Sequence, residues 1–193
     1  MATNYLSSIG IDPPANLGDI LRHLTLWEAS TLLAKEFNLE RTADNVYTDM
    51  QSLLLEYYGG KFELKPYVPE ILEELKERNT RIALATATDE HLASMILEKH
   101  KISHYFEFIQ THQNTGLHKG QPEFFQIIIE KLQLNPKDIW MFEDALYSIE
   151  TAKRCGLNVV AIRDESALLD LEEIKKLADI YVEDFTQLVV EEL

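Results

Sequence analysis

The stretch IWMFEDALYSIETAKRCGLNVVAI, residues 139–162, decides how the rest of the chain is read. Ile139 to Phe142 is an apolar run that reads as a strand. Ala145 to Cys155 has helical spacing and stops at Gly156, a residue type that accepts the left-handed conformation of a helix end. Asn158 to Ile162 is apolar again. Strand, helix and strand in this order make a βαβ unit with parallel strands. Glu143 and Asp144 stand at the carboxyl end of the first strand, where the helix starts. Adjacent carboxylates repel, so placing both near a buried strand end is costly without a cation. Hard carboxylate oxygens suit Mg²⁺, which takes one or two carboxylates plus phosphate and water oxygens. The plainer alternative is an Asp N-cap with a solvated Glu beside it.

Working outward, the same alternation begins at Tyr67. A helix turns Val68, Ile71, Leu72 and Leu75 inward, with Glu70, Glu73, Glu74 and Glu77 on the outside. Arg81 to Thr86 has the length of a buried parallel strand. Asp89 caps a helix that buries Leu92, Met95 and Ile96. Phe108 to Thr111 is a weaker strand. Pro122 opens the next helix at a position where proline needs no N–H, and Asn135-Pro136 breaks the chain. A helix around Leu168–Leu177 and a strand at Ile180–Val182 complete the pattern. The expectation is an α/β fold with a doubly wound parallel sheet over 67–193.

The N-terminal third reads differently. Thr25 and Glu28 fit a capping box, followed by Leu32, Leu33 and Phe37 on one helical stripe. A second long helix runs from Asn45 to Tyr58, with Val46, Met50, Leu53, Leu54 and Tyr57 on one face. Gly59 and Gly60 are expected to end it. Residues 1–66 therefore read as a small helical domain without strands of its own.

Composition narrows the possible functions. A chain of 193 residues with 46% hydrophobic and 26% charged residues is ordinary for a soluble globular protein. Its net charge of −15 disfavours nonspecific nucleic-acid binding and anionic membrane surfaces. The single cysteine, Cys155, excludes an intramolecular disulfide. No signal peptide or bilayer-length apolar run is visible, so a cytoplasmic location is expected.

Two further positions carry chemistry. In open parallel sheets, ligands bind beyond the carboxyl ends of the strands. Thr86-Ala87-Thr88-Asp89 follows the 81–86 strand, and a hydroxyl with free backbone N–H groups at such a turn can hold phosphate. Equally, Thr88 or Asp89 could simply cap the helix. Lys119, in the loop 112–121, could neutralise phosphate charge as a point cation, or be an ordinary solvated lysine. His112 and His118 flank that loop, although lone loop histidines rarely bind metal.

The order strand-Thr86, loop-Lys119, strand-Glu143-Asp144 resembles the haloacid dehalogenase-like hydrolase superfamily. The segments IALATAT, HKGQPEFF and MFEDALYSIETAKRCGLNVVAI look most like its β-phosphoglucomutase and sugar-phosphatase branch. The resemblance implies a HAD-like core at 67–193 and a helical cap at 1–66. It implies that Thr86 and Ala87 bind the transferring phosphoryl group, that Lys119 stabilises its charge, and that Glu143 and Asp144 position Mg²⁺. Arg22 and His23 in the cap would meet an anionic group of a small phosphorylated metabolite, or form a solvated helix start. The family's nucleophile lies in an Asp-x-Asp motif on a central first strand, and no Asp-x-Asp occurs in these 193 residues. The expectation is that this strand is missing, that Met1 is an internal or misplaced start, and that the sheet has a gap in its middle. Activity of the chain as it stands is therefore expected to be negligible. The competing readings are a non-catalytic scaffold or regulatory binding protein and, less well matched, a receiver-type signalling domain. Family members commonly have Pro where Gly120 stands, and Ser then Gly where Ala145 and Ser148 occur.

Overall fold

The computed structural model describes every residue except 1, 22, 23, 25, 38 and 61, and for residues 19 and 58 it describes the backbone alone. The chain forms two compact units, Met1–Phe62 and Glu63–Leu193. In the first, helices α1 (Ala2–Ser8), α2 (Leu17–Leu21), α3 (Leu26–Glu36) and α4 (Ala43–Gly60) follow one another. Tyr5, Leu6, Leu17, Leu33, Val46 and Met50 form their buried centre. Ala29 and Leu33 on α3, and Val46 and Met50 on α4, each lie one helical turn apart, which gives both helices a buried stripe. Gly59 and Gly60 lie within the last turn of α4 rather than beyond it. The expected capping box at Thr25, like Arg22 and His23, lies outside the described residues.

The second unit alternates as its sequence period predicts. Helix α5 (Val68–Glu77) leads to β1 (Leu84–Thr86), α6 (Glu90–Lys99) and β2 (Ile109–Thr111). A short α7 (His112–Thr115) and α8 (Pro122–Leu132) lead to β3 (Trp140–Glu143). Then come α9 (Leu146–Arg154), β4 (Asn158–Ile162), α10 (Leu171–Leu177) and β5 (Ile180–Val182). Every strand pair is parallel. The strands fall into two sheets, one of β1 and β2 and one in the order β3-β4-β5. The register pairs Thr86 with Thr111, and Glu143 with Ala161.

Helices cover both faces. On one, Ile71 and Leu75 of α5 pack with Val160, Ile162 and Val182, and with half-buried Ile82, Trp140 and Phe142. Leu72 of the same helix packs with Leu97, Ile102 and half-buried Leu84 and Ile109. On the other, Phe124, Phe125 and Ile128 of α8 and Ile149 and Ala152 of α9 pack with Val159 and Ala161, against which Ala85 and Met141 also lie. Both sheets therefore share one layer between the same helices. Ile82 of the segment leading into β1 packs against the same cluster as Trp140 and Phe142 of β3, and Ala85 against the same cluster as Met141, so β1 and β3 face the same helices. Among the described residues no helix is long and apolar enough to cross a membrane.

Candidate active site

The carboxyl ends of β1 and β3 carry the site residues. Glu143 is the last residue of β3, and the apolar run before it draws its backbone into the layer. The N-cap of α9 is Ala145, with no side-chain capping bond, so Asp144 is not spent as a cap. Nor is Glu143 solvated: its side chain is only 7% exposed.

Lys119 reaches it from 24 residues away in sequence. The ammonium donates to both Glu143 oxygens, at 2.9 and 3.0 Å, and the lysine side chain is 12% exposed. A solvated loop lysine is thereby excluded. Burial works against the charge on Lys119, but Glu143 outweighs it and holds the ammonium above the ordinary lysine range, with Asp144 adding in the same direction. Burial pushes the Glu143 carboxyl up, and Lys119 opposes that shift. With both oxygens within hydrogen-bond distance of the ammonium, the pair is ammonium and carboxylate.

The loop that presents Lys119 is built locally. Thr111 and Asn114 form a reciprocal capping box at α7, and Gly116 ends that helix in the left-handed region at φ 72°. The Gly120 N–H donates to His118 Nδ1 at 3.1 Å. A Cβ at Gly120 would meet the His118 ring at 3.0 Å and Tyr147 at 3.6 Å, so glycine permits this close approach. Tyr147 is a member of the site that its sequence position, in the first turn of a helix, did not single out. Burial raises its phenol, Lys119 draws it back, and the two carboxylates raise it further.

Thr86 ends β1, and its Oγ1 accepts the Thr88 N–H at 3.0 Å, leaving the hydroxyl proton available. Asp89 takes the N-cap position of α6, so Thr86 is outside the cap, and Ala87 is exposed. The structure brings Lys119 and Glu143 into contact, with Asp144 close enough to act on both charges. It shows no hydrogen bond from Thr86 to that cluster among the described residues. The His112 Nδ1, one residue beyond β2, is enclosed without a hydrogen-bond partner.

The donor set suits a hard divalent cation in part. No group of three or more His, Cys, Asp or Glu residues that could hold a metal occurs among the described residues. With Glu143 engaged by Lys119, Asp144 is the carboxylate available for direct ligation. Mg²⁺ tolerates such sparse protein ligation, because substrate phosphate and water fill the remaining positions.

The haloacid dehalogenase-like hydrolase family model matches residues 19–162. The chain belongs to this family. It is 30% identical over 148 residues to a phosphorylated carbohydrates phosphatase of Thermotoga maritima, covering 74% of this chain and 68% of that protein. Among solved structures, it is similar to a β-phosphoglucomutase from Clostridium difficile, with a TM-score of 0.77 and 20% identity, over 98% of this chain and 84% of that one. CbbY from Rhodobacter sphaeroides, in complex with phosphate, aligns with a TM-score of 0.79 and 16% identity, over 95% of this chain and 85% of that one. At these identities the structural neighbours establish the α/β fold.

Proposed function

We propose that this chain carries the phosphate- and Mg²⁺-binding framework of a phosphatase or phosphomutase for small phosphorylated sugars. The observation that supports this most is the buried Lys119–Glu143 pair with Asp144 beside it at a strand's carboxyl end. A buried ion pair is poor value for stability alone, since desolvation offsets most of the attraction. Its worth lies in a lysine held charged and fixed in position. Family membership and the similarity to a sugar-phosphate phosphatase support the substrate class.

In this reading the Thr86 hydroxyl and the Ala87 N–H hold the phosphoryl oxygens, and Lys119 neutralises the charge that spreads over them. Asp144, with Glu143 behind it, holds Mg²⁺, which supplies further charge neutralisation when bound. Phosphoryl transfer depends chiefly on such positioning and charge stabilisation. Units 1–66 and 67–193 serve as cap and core, and Arg22 and His23 of the cap contact the substrate's anionic group. The location is cytoplasmic.

The 193 residues contain no Asp-x-Asp. The chain as it stands is therefore expected to bind phosphate with Mg²⁺ yet show no turnover of p-nitrophenyl phosphate. Calorimetry with inorganic phosphate and Mg²⁺ tests the first part: binding weakens about tenfold or more in Lys119→Ala and in Asp144→Asn, the loss of about one charge-assisted contact. Absence of phosphate binding would sink the proposal. Turnover abolished by Asp144→Ala would refute the expected inactivity.

A non-catalytic regulatory binding protein is the second reading, favoured by the same absent motif. A longer form bearing Asp-x-Asp ahead of residue 1 separates the two. Turnover of a sugar phosphate by that form supports the enzyme, and phosphate binding without turnover supports the regulator.

A further inference from the structure

The helical first unit forms an open cavity of about 270 Å³ between α1 and α4. Asp49, Ser52, Leu53 and Glu56 line it from one face of α4, where residues three and four apart are neighbours. Tyr5, Ser8 and Ile9 line it from α1 at the same spacing, and Arg41 lines it from just before α4. Pockets for drug-sized ligands run from about 300 Å³ upward, so this space suits a smaller metabolite.

One group in this cavity lacks what folding normally supplies. Tyr5 is 1% exposed, and its hydroxyl is buried without a hydrogen-bond partner. A buried tyrosine hydroxyl usually finds one. Arg41 stands beside it: the Tyr5 phenol and then Asp49 hold the guanidinium above its ordinary range. A guanidinium has donors only, so it cannot take the phenol proton. It carries five of them, so the ion pair with Asp49 does not exhaust it. The nearby hydroxyl protons are already used, since Ser8 donates to the Tyr5 carbonyl at 2.7 Å and Ser52 to the Thr48 carbonyl at 2.9 Å. This end of the cavity therefore offers donors and lacks an acceptor. The other end is acidic. Glu56 lies two turns along α4 from Asp49, about 10 Å at about 1.5 Å per residue. Leu53 stands between them on the same face, and Ile9 adds a second apolar contact from α1.

We propose that this cavity binds a small linear zwitterion, an ω-amino carboxylate, with its carboxylate on Tyr5 and Arg41 and its ammonium on Glu56. The methylenes between the two charges lie on Leu53 and Ile9. The carboxylate supplies the acceptor that the Tyr5 hydroxyl lacks, and charge-assisted bonds hold both ends. A free phosphate would meet two carboxylates against one guanidinium, and a simple alkylamine would leave the phenol unsatisfied. The site stands apart from the phosphoryl-transfer reading, because none of its residues is assigned to phosphate, Mg²⁺ or the sugar substrate. Its occupant joins α1 to α4 and so stabilises the folded chain by mass action.

Calorimetry on the full chain uses γ-aminobutyrate, δ-aminovalerate and ε-aminocaproate as probes. At least one is expected to bind saturably, and the alkanoate and alkylamine of matching length, each lacking one charged end, about tenfold more weakly. Tyr5→Phe keeps the ring and removes only the hydroxyl. It is expected to weaken binding about fivefold, the worth of one hydrogen bond, while the urea midpoint of the free chain holds or rises because no partner is lost. Glu56→Gln is expected to weaken the amino carboxylate and leave the alkanoate unchanged. Failure of every probe to bind would overturn the proposal, as would equal binding of the alkanoate or an affinity unchanged in either variant. A lower midpoint for Tyr5→Phe would also overturn it, by showing that the hydroxyl already has a partner in the fold.

Discussion

The β3-β4-β5 sheet and the β1-β2 sheet are built from similar apolar runs, yet they are buried very differently. In the first, β4 has a strand on each side and helices on both faces, and Val159, Val160 and Ala161 have no exposure. In the second, β1 has one strand partner, and Leu84, Ala85 and Thr86 are all half-buried under the same helices. Helices alone do not bury a strand; its edge neighbours complete the enclosure. The site residues straddle this difference. Glu143 is locked at the end of the well-enclosed sheet, and Thr86 ends the open one.

The largest effect expected is from Lys119→Ala, which leaves Glu143 buried without its partner. The loss should be about 3–5 kcal/mol in urea unfolding. The deficit has a pH signature of known sign. Without Lys119 burial raises the Glu143 pKa in the folded state, so the folded state binds the proton more tightly than the unfolded chain does. Stability then falls as pH rises through the carboxylate range and is partly regained on acidification. A deficit independent of pH would show that Glu143 had escaped to solvent.

Core truncations sharpen the contrast between the sheets. Ile162→Ala on β4, at a site 5% exposed, is expected to cost about 3 kcal/mol in a urea midpoint analysis. Leu84→Ala on half-buried β1 should cost about 1–1.5 kcal/mol, below the usual range for a fully buried leucine. Equal losses would mean that β1 is as enclosed as β4, and the contrast would fail.

The smallest effect concerns Asp164, just beyond β4. Lys65 donates to it at 2.8 Å and to the Arg163 carbonyl at 3.2 Å. Burial opposes its charge, but Lys65 and the Ser166 N–H and hydroxyl prevail, and its pKa is lowered from 3.8 to about 2. A depressed carboxylate contributes stability above the unfolded pKa and loses it as pH falls from 3.8 toward about 2. Lys65 and Asp164 are both partly open to solvent, so screening leaves about 0.5 kcal/mol of this at stake. Asp164→Asn should remove that share of the acid dependence while leaving β1 amide exchange unchanged. Acid curves that superimpose for parent and variant would show that the pair adds nothing.

Much of the fold was legible because hydrophobic period and turn residues act locally. The β4 run from Asn158 to Ile162, the proline at the start of α8 and the Gly156 turn after α9 can each be read within a few residues. Boundaries were less so. The run from Arg81 yields ladder pairing only from Leu84 to Thr86, because pairing requires a partner strand and not merely an apolar sequence. Glycines expected to stop α4 are carried into its last turn, since a helix that is already propagating gains a hydrogen bond with each added residue.

The candidate site divides along the same line. Sequence by itself determined the alternation of strands and helices, the acids at a strand end and the order Thr86, Lys119, Glu143, Asp144, all of which follow from local chemistry. Tertiary structure alone decided that Lys119 is buried on Glu143, that Tyr147 belongs to the same cluster, and that the strands divide into two sheets. Burial and electrostatic coupling depend on what distant segments bring to a residue, and sequence spacing does not encode that distance.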